Sequence, residues 1–215
     1  MKIGVFGGCF NPIHIGHLSL IEEVLIRFNL EKVLFIPNMN PYYKQYKTVS
    51  FDLISEMINL AIGKNWNYEI SSLESNSNKD HATYKTLRTL INENTSNELY
   101  LILGSDQFLQ FSNWKNSEEI KDQINLIIAI RDTYNIDLED FTDKNLCYTK
   151  VDSRNRTHVF KSINNKELIF YDLIKKFDIS SSVIQKMLSL GEVGEVRRFL
   201  APKVLDFILE KGLYR

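Results

Sequence analysis

Short apolar runs along the chain alternate with segments whose apolar residues recur every three or four positions, and that alternation predicts strand and helix in turn. Ile3 to Phe6 is too short for a globular helix and ends on Gly7 and Gly8, so it reads as a buried strand entering a tight turn. Leu18, Ile21, Val24 and Leu25 then recur at helical spacing, with Pro12 placed at the helix start, where a missing N–H costs least. Glu31 to Pro37 predicts a second buried strand. Strand, helix and strand at this spacing mean a parallel pair with a right-handed crossover.

The alternation continues through the chain. Phe51 to Ile62 carries Leu53, Ile54, Met57, Ile58 and Ala61 at helical spacing, with Ser50 as its N-cap. Trp66 to Leu73 predicts a third strand, Ser75 to His81 a polar stretch, and Leu87, Leu90 and Ile91 a helix after it. Leu99 to Leu103 is a fourth strand that stops at Gly104-Ser105-Asp106, which puts Asp106 at a strand tip. Gln107 to Trp114 is a short amphipathic segment, and Ser117 to Asp122 is worth one or two helical turns. Ile124 to Ile130 is a wholly apolar fifth strand that ends at Arg131.

Residues 132–165 are polar with few apolar clusters and read as an irregular insertion, with at most one strand near His158 to Phe160. Lys166 to Leu173 returns a short strand, and three helical pieces follow at Ser181 to Leu190, Glu192 to Leu200 and Pro202 to Lys211, where Gly212 suits the stop. The fold class expected is α/β: a doubly wound parallel sheet with a small helical C-terminal part over 178–215, the whole forming one domain.

Composition narrows the partners. A chain of 215 residues can bury a full core, and a formal net charge of -1 gives no bulk drive towards nucleic acid or an anionic membrane. Any polyanion must therefore be held locally. Cys9 and Cys147 are too few for a disulfide framework, no apolar run reaches membrane-spanning length, and Met1-Lys2 leads straight into the first strand. A cytoplasmic protein is expected, with no repeat or flexible linker. The oligomeric state stays open, a homo-oligomer included.

The candidate chemistry sits in the first turn. His14 and His17, two of only four histidines, are three residues apart at a helix start, so they share one face near unpaired backbone N–H groups and the positive dipole pole. Gly7 and Gly8 let the backbone approach an anion closely, and that arrangement binds phosphate and favours charge developing on phosphorus. The run is neither a Walker A loop nor a dinucleotide fingerprint, because Gly-Lys-Ser/Thr and Gly-x-Gly-x-x-Gly are both absent. Two plainer readings compete: a pair of satisfied structural histidines, or a metal-binding pair, which lacks the glutamate of H-E-x-x-H and a nearby Cys/His cluster.

Gly7-Gly8-x-Phe10-Asn11-Pro12-Ile13-His14-x-Gly16-His17 resembles the H-x-G-H nucleotidyltransferase superfamily, and its wording is closest to bacterial nicotinate-nucleotide adenylyltransferases. The resemblance runs on through Pro41-Tyr42-Tyr43-Lys44, where the family has P-P-H-K, and through Thr83 with Thr86-Leu87, where it has S-Y-T-x-x-T-L. Gly104-Ser105-Asp106 followed by Trp114 matches G-x-D and W, and Ile179-Ser180-Ser181-Ser182-x-Ile184-Gln185 matches I-S-S-T-x-I-R with glutamine for arginine. It is weakest across 132–165, and Leu200-Ala-Pro-Lys-Val204 with Gly212-Leu213-Tyr214 read as structural echoes.

The resemblance implies transfer of adenylate from ATP to nicotinate mononucleotide, giving deamido-NAD and pyrophosphate. It implies catalysis by His14, His17 and Lys44. ATP would lie on Gly7, Gly8, Cys9, Phe10, both histidines, Gly104 and Asp106, with Ile179, Ser181, Ser182 and Gln185 at its phosphates. The mononucleotide would meet Cys9, Lys44, Thr83, Asp106, Trp114 and Arg131, and Mg²⁺ would be held mainly by the phosphates, with no metal site of the protein's own. Rival readings are a nucleotidyltransferase with another acceptor, such as nicotinamide mononucleotide or phosphopantetheine, and a non-catalytic nucleotide-binding protein. His14-Ile-Gly-His17 also spells the class I aminoacyl-tRNA synthetase signature, but the chain is short for tRNA-binding domains and has no K-M-S-K-S segment.

Overall fold

The computed structural model describes residues 1–38, 49–75, 83–93, 95–131 and 148–215. Lys44 and its loop, the His81-Ala82 turn and the first half of the 132–165 insertion lie outside the described residues.

Six parallel strands form the body of one sheet: β1 (Lys2–Gly8), β2 (Lys32–Pro37), β3 (Tyr68–Ile70), β4 (Glu98–Gly104), β5 (Asn125–Ile130) and, last in the chain, β8 (Glu167–Asp172). Between β5 and β8 come β6 (Tyr148–Arg154) and β7 (Thr157–Ser162), an antiparallel hairpin on the far edge, so the strand order is β3-β2-β1-β4-β5-β8-β7-β6. Alternate residues serve opposite faces, as the pleat requires. Ile3, Val5, Leu34, Leu101, Leu103, Leu126 and Ile128 fill one core, while Phe6, Val33, Phe35, Tyr100, Ile102, Ile127 and Ala129 fill the other.

The helices cover both faces. On the second core lie α1 (Ile15–Arg27), α2 (Phe51–Ile62), α6 (Ser181–Ser189) and α8 (Pro202–Glu210), through residues such as Ile21, Met57, Ile184 and Ile208. The first is closed by α3 (Thr83–Glu93) and α5 (Ser117–Gln123), through Leu87, Leu90 and Ile120. The doubly wound expectation is thus met. Each fully buried aliphatic side chain contributes about 1.5–3 kcal/mol, and a Cβ at Gly4 would come within 2.7 Å of the Ile102 side-chain tip, so a larger residue there would make that core shift.

Several boundaries differ from the sequence reading. The helix after the first turn starts at Ile15, with His14 as its N-cap at φ -145. Pro12 therefore lies ahead of the helix, after a cis Asn11–Pro12 bond, because Phe10 turns the chain with φ 45 before the helix can begin. The third strand is three residues rather than eight, since it pairs on one side only and leaves Trp66 exposed. The insertion is not irregular over 148–162. Asn155 and Arg156 both take positive φ, the backbone of a two-residue hairpin turn, and the strands beside them are polar enough to hide their period. The segment expected as a helix from Glu192 to Leu200 keeps only α7 (Val193–Val196). Gly63 at φ 61 ends α2, and Ser50 Oγ caps its start by accepting the Leu53 N–H.

Candidate active site

Strand order decides where a ligand can lie. β1 has β2 on one side and β4 on the other, so the connections leave in opposite directions and open a crevice at the strands' carboxyl ends. A cavity of about 910 Å³ occupies that crevice, lined by the ends of β1 and β4, the starts of α1, α3 and α6, and Arg131 at the end of β5. Its size suits a small-molecule ligand.

The wall is built from backbone as much as from side chains. Beyond Gly7 a Cβ would meet nothing within 4 Å, so the missing side chain leaves open space at the cavity. Gly8 closes β1, and its carbonyl accepts the Asn38 N–H at 2.8 Å. Phe10 contributes main chain, because its ring is 1% exposed and packs 5.3 Å from the ring of His17. Cys9 lines the cavity beside it, half-buried and without a disulfide.

The two imidazoles are stacked, with ring centroids 3.7 Å apart and planes at 28°. Nδ1 of His17 accepts the backbone N–H of His14 at 3.3 Å. A neutral His17 must therefore carry its proton on Nε2, which makes the far side of the ring a donor. His14 is 2% exposed, and its Nδ1 has no hydrogen-bond partner among the described residues. Burial first, and the Arg131 charge second, push its pKa down to about 3, so this imidazole is neutral in the ligand-free protein. The buried ring forms part of the cavity wall.

Opposite the histidines, α6 begins at Ser181 with Ser180 as N-cap, its Oγ accepting the Val183 N–H at 3.4 Å. Ile179, Ser181 and Ser182 line the cavity there. The Ser181 hydroxyl already donates to Pro12 O at 2.9 Å, so for an anion this helix start offers chiefly backbone N–H groups and Ser182. Gln185 is not part of the cavity wall. Its amide donates to the Asn11 carbonyl instead.

At the other end, Gly104 is the N-cap of α4 (Ser105–Leu109), which puts Asp106 in the helix's first turn and into the cavity. Thr83, Trp114 and Arg131 line the same space, so every site residue expected from the sequence reaches it except Gln185 and the undescribed Lys44. Trp114 also packs on Phe111 at 5.3 Å. Sequence reasoning missed Glu74 and Lys115. Glu74, 4% exposed, accepts the Thr86 hydroxyl at 2.7 Å, and no motif flags a lone acid before a polar stretch. Lys115 lines the cavity and lies over the Tyr84 ring at 5.7 Å; its place directly after Trp114 was the signal available.

The chain is similar to known proteins along its full length. The cytidylyltransferase-like family model matches residues 5–187. The chain is 34% identical over 215 residues to the "Probable nicotinate-nucleotide adenylyltransferase" of Clostridium perfringens strain 13, covering 100% of this chain and 98% of that one. The chain belongs to the nicotinate-nucleotide adenylyltransferase family. A Geobacter metallireducens member, carrying the same name, is 32% identical over 222 residues, with 100% of this chain and 98% of its own covered. The fold of a Plasmodium falciparum nicotinic acid mononucleotide adenylyltransferase complexed with NaAD superposes with a TM-score of 0.78 at 18% identity, covering 99% of this chain and 97% of that one. As a member of this adenylyltransferase family, the chain is a nucleotidyltransferase, with the cavity between β1 and β4 as its candidate active site.

Proposed function

We propose that this enzyme transfers the adenylyl group of ATP to nicotinate mononucleotide, releasing pyrophosphate and forming deamido-NAD. The observation that carries the reading is the pairing of two anion-binding helix starts, α1 with its stacked histidines and α6 with its serines, across one cavity that also holds Asp106 and Trp114.

The attacking phosphate of the mononucleotide is already ionised at neutral pH, so an in-line displacement at the α phosphorus of ATP needs neither a general base nor a covalent enzyme intermediate. Catalysis then rests on alignment and on stabilising charge across the α and β phosphates. Gly7 and Gly8 let the phosphates approach the main chain, His17 Nε2–H donates to an oxygen that gains charge, and His14 adds its neutral, buried ring to the same wall. Ser182 and the first N–H groups of α6 hold the pyrophosphate end. Asp106 accepts ribose hydroxyls, Thr83, Trp114 and Arg131 form the acceptor side, and Lys44 is assigned to the phosphates by family pattern alone. Mg²⁺ would enter as MgATP, coordinated mainly by phosphate oxygens, which suit a hard cation that keeps much of its water. A cytoplasmic setting suits the substrate, and no described helix is long and apolar enough to cross a membrane.

Pyrophosphate release is the test. Mixed with MgATP, the protein should release it with nicotinate mononucleotide and much more slowly with nicotinamide mononucleotide or phosphopantetheine. Release with another acceptor but not with nicotinate mononucleotide would overturn the assignment.

A further inference from the structure

No helix or strand covers Cys9 to His14, so the turn that delivers the first histidine has no ladder of its own to fix it. It is held from behind by groups far along the chain. Tyr214 donates its hydroxyl hydrogen to Asn11 Oδ1, Gln185 Nε2 donates to Asn11 O, Ser181 Oγ donates to Pro12 O at 2.9 Å, and the Ile15 N–H donates to Phe199 O at 2.9 Å. From these contacts we propose that the C-terminal helical part sets the position of the histidine turn, with Tyr214 and Gln185 as positioning residues that act together on Asn11.

Neither side chain lines the cavity, so neither meets a ligand there directly. Their effect runs through Asn11, whose side chain and carbonyl they hold from two elements at once. Burial pushes the Tyr214 phenol above its ordinary range, which keeps it a hydroxyl donor at any working pH. Where the family pattern has an arginine, this chain has an uncharged amide, and the structure gives that amide a job on the turn. The consequence is mechanical. Ser181 belongs both to this brace and to the first turn of α6, so the two anion-binding helix starts are tied to one another through Asn11 and Pro12. A nucleotide's phosphates that span both starts sense the separation, and misplacement by a fraction of an ångström costs alignment more than binding.

The proposal rests on the adenylyl-transfer reading for its kinetic readout only. Tyr214→Phe and Gln185→Met each remove one donor and keep the volume. Measured well below the melting temperature, each should lower kcat about tenfold while the KM for ATP and for the mononucleotide stays within about twofold, the signature of lost alignment rather than lost binding. The double variant should lose less than the product of the single losses, because both act on one residue. In the ligand-free protein the ring signals of His14 and His17, followed by NMR, should shift in both single variants. Should the wild type itself release no pyrophosphate, the reaction reading fails, and the ring signals still judge the brace. Variants with lowered melting temperature but wild-type kcat and unmoved ring signals would show a purely structural tie and overturn the proposal.

Discussion

The imidazoles of His14 and His17 lie face to face with centroids 3.7 Å apart, and the second ring accepts the backbone N–H of the first. One histidine thereby fixes the tautomer of its own ring while capping the helix that carries it. The expected catalytic donor is Nε2 of His17, and His17→Ala should lower turnover by about 10²-fold or more, the scale of a lost oxyanion donor. Steady-state kinetics with MgATP and nicotinate mononucleotide check this, and wild-type turnover would remove His17 from the mechanism.

Two glycines that flank the turn, Gly7 in β1 and Gly16 in α1, should respond differently to a methyl group. At Gly7 an added Cβ meets nothing within 4 Å, so Gly7→Ala should leave the melting temperature unchanged and raise the KM for ATP, because the methyl takes space meant for phosphate. At Gly16 a Cβ comes within 3.1 Å of the His14 ring, so Gly16→Ala should push that imidazole aside and reduce kcat about tenfold, on the scale set by small misplacements. Thermal melting alongside kinetics separates the two.

Asp106 sits in the first turn of α4, pointing the chemistry of a carboxylate at the cavity. Asp106→Ala should raise the KM for the mononucleotide more than that for ATP. Equal effects on both would count against a ribose contact on the acceptor side.

The lowered pKa of His14 makes stability depend on acid. Its folded value of about 3 lies below the ordinary histidine value of 6.5, so between these the unfolded chain binds a proton that the folded one refuses. The contribution is fully present above pH 6.5 and is lost as pH falls towards 3, with a slope of at most about 1.4 kcal/mol per pH unit from this one group. Denaturant unfolding of wild type and His14→Asn between pH 7 and about 4 should show a shallower acid slope in the variant. Identical slopes would mean that the ring takes up its proton as readily in the folded protein as in the unfolded chain.

Local periodicity carried the parallel strands and their covering helices, because a strand buried on both faces is a continuous apolar run and a covering helix repeats its apolar residues at fixed spacing. Ile124 to Ile130 and Phe51 to Ile62 match the structure to within a residue. The β6–β7 hairpin escaped because its strands are polar enough to hide their period and its turn, Asn155-Arg156, lacks the glycine that advertises such a bend. Glu74 escaped for a related reason: a single acid carries no pattern, and only the fold brings it under Thr86.

By itself the sequence determined the alternation of strand and helix, the glycine turn, the placement of two histidines on one helix start, and the kinship that names the chemistry. These are properties of neighbours in the chain, set by side-chain spacing and backbone freedom. The tertiary structure alone decided that His14 is buried and neutral, that Gln185 turns from the cavity to Asn11, and that Tyr214 reaches back to the first turn. Desolvation and hydrogen bonding between residues far apart in the chain depend on which surfaces the fold brings together, and no local pattern encodes that.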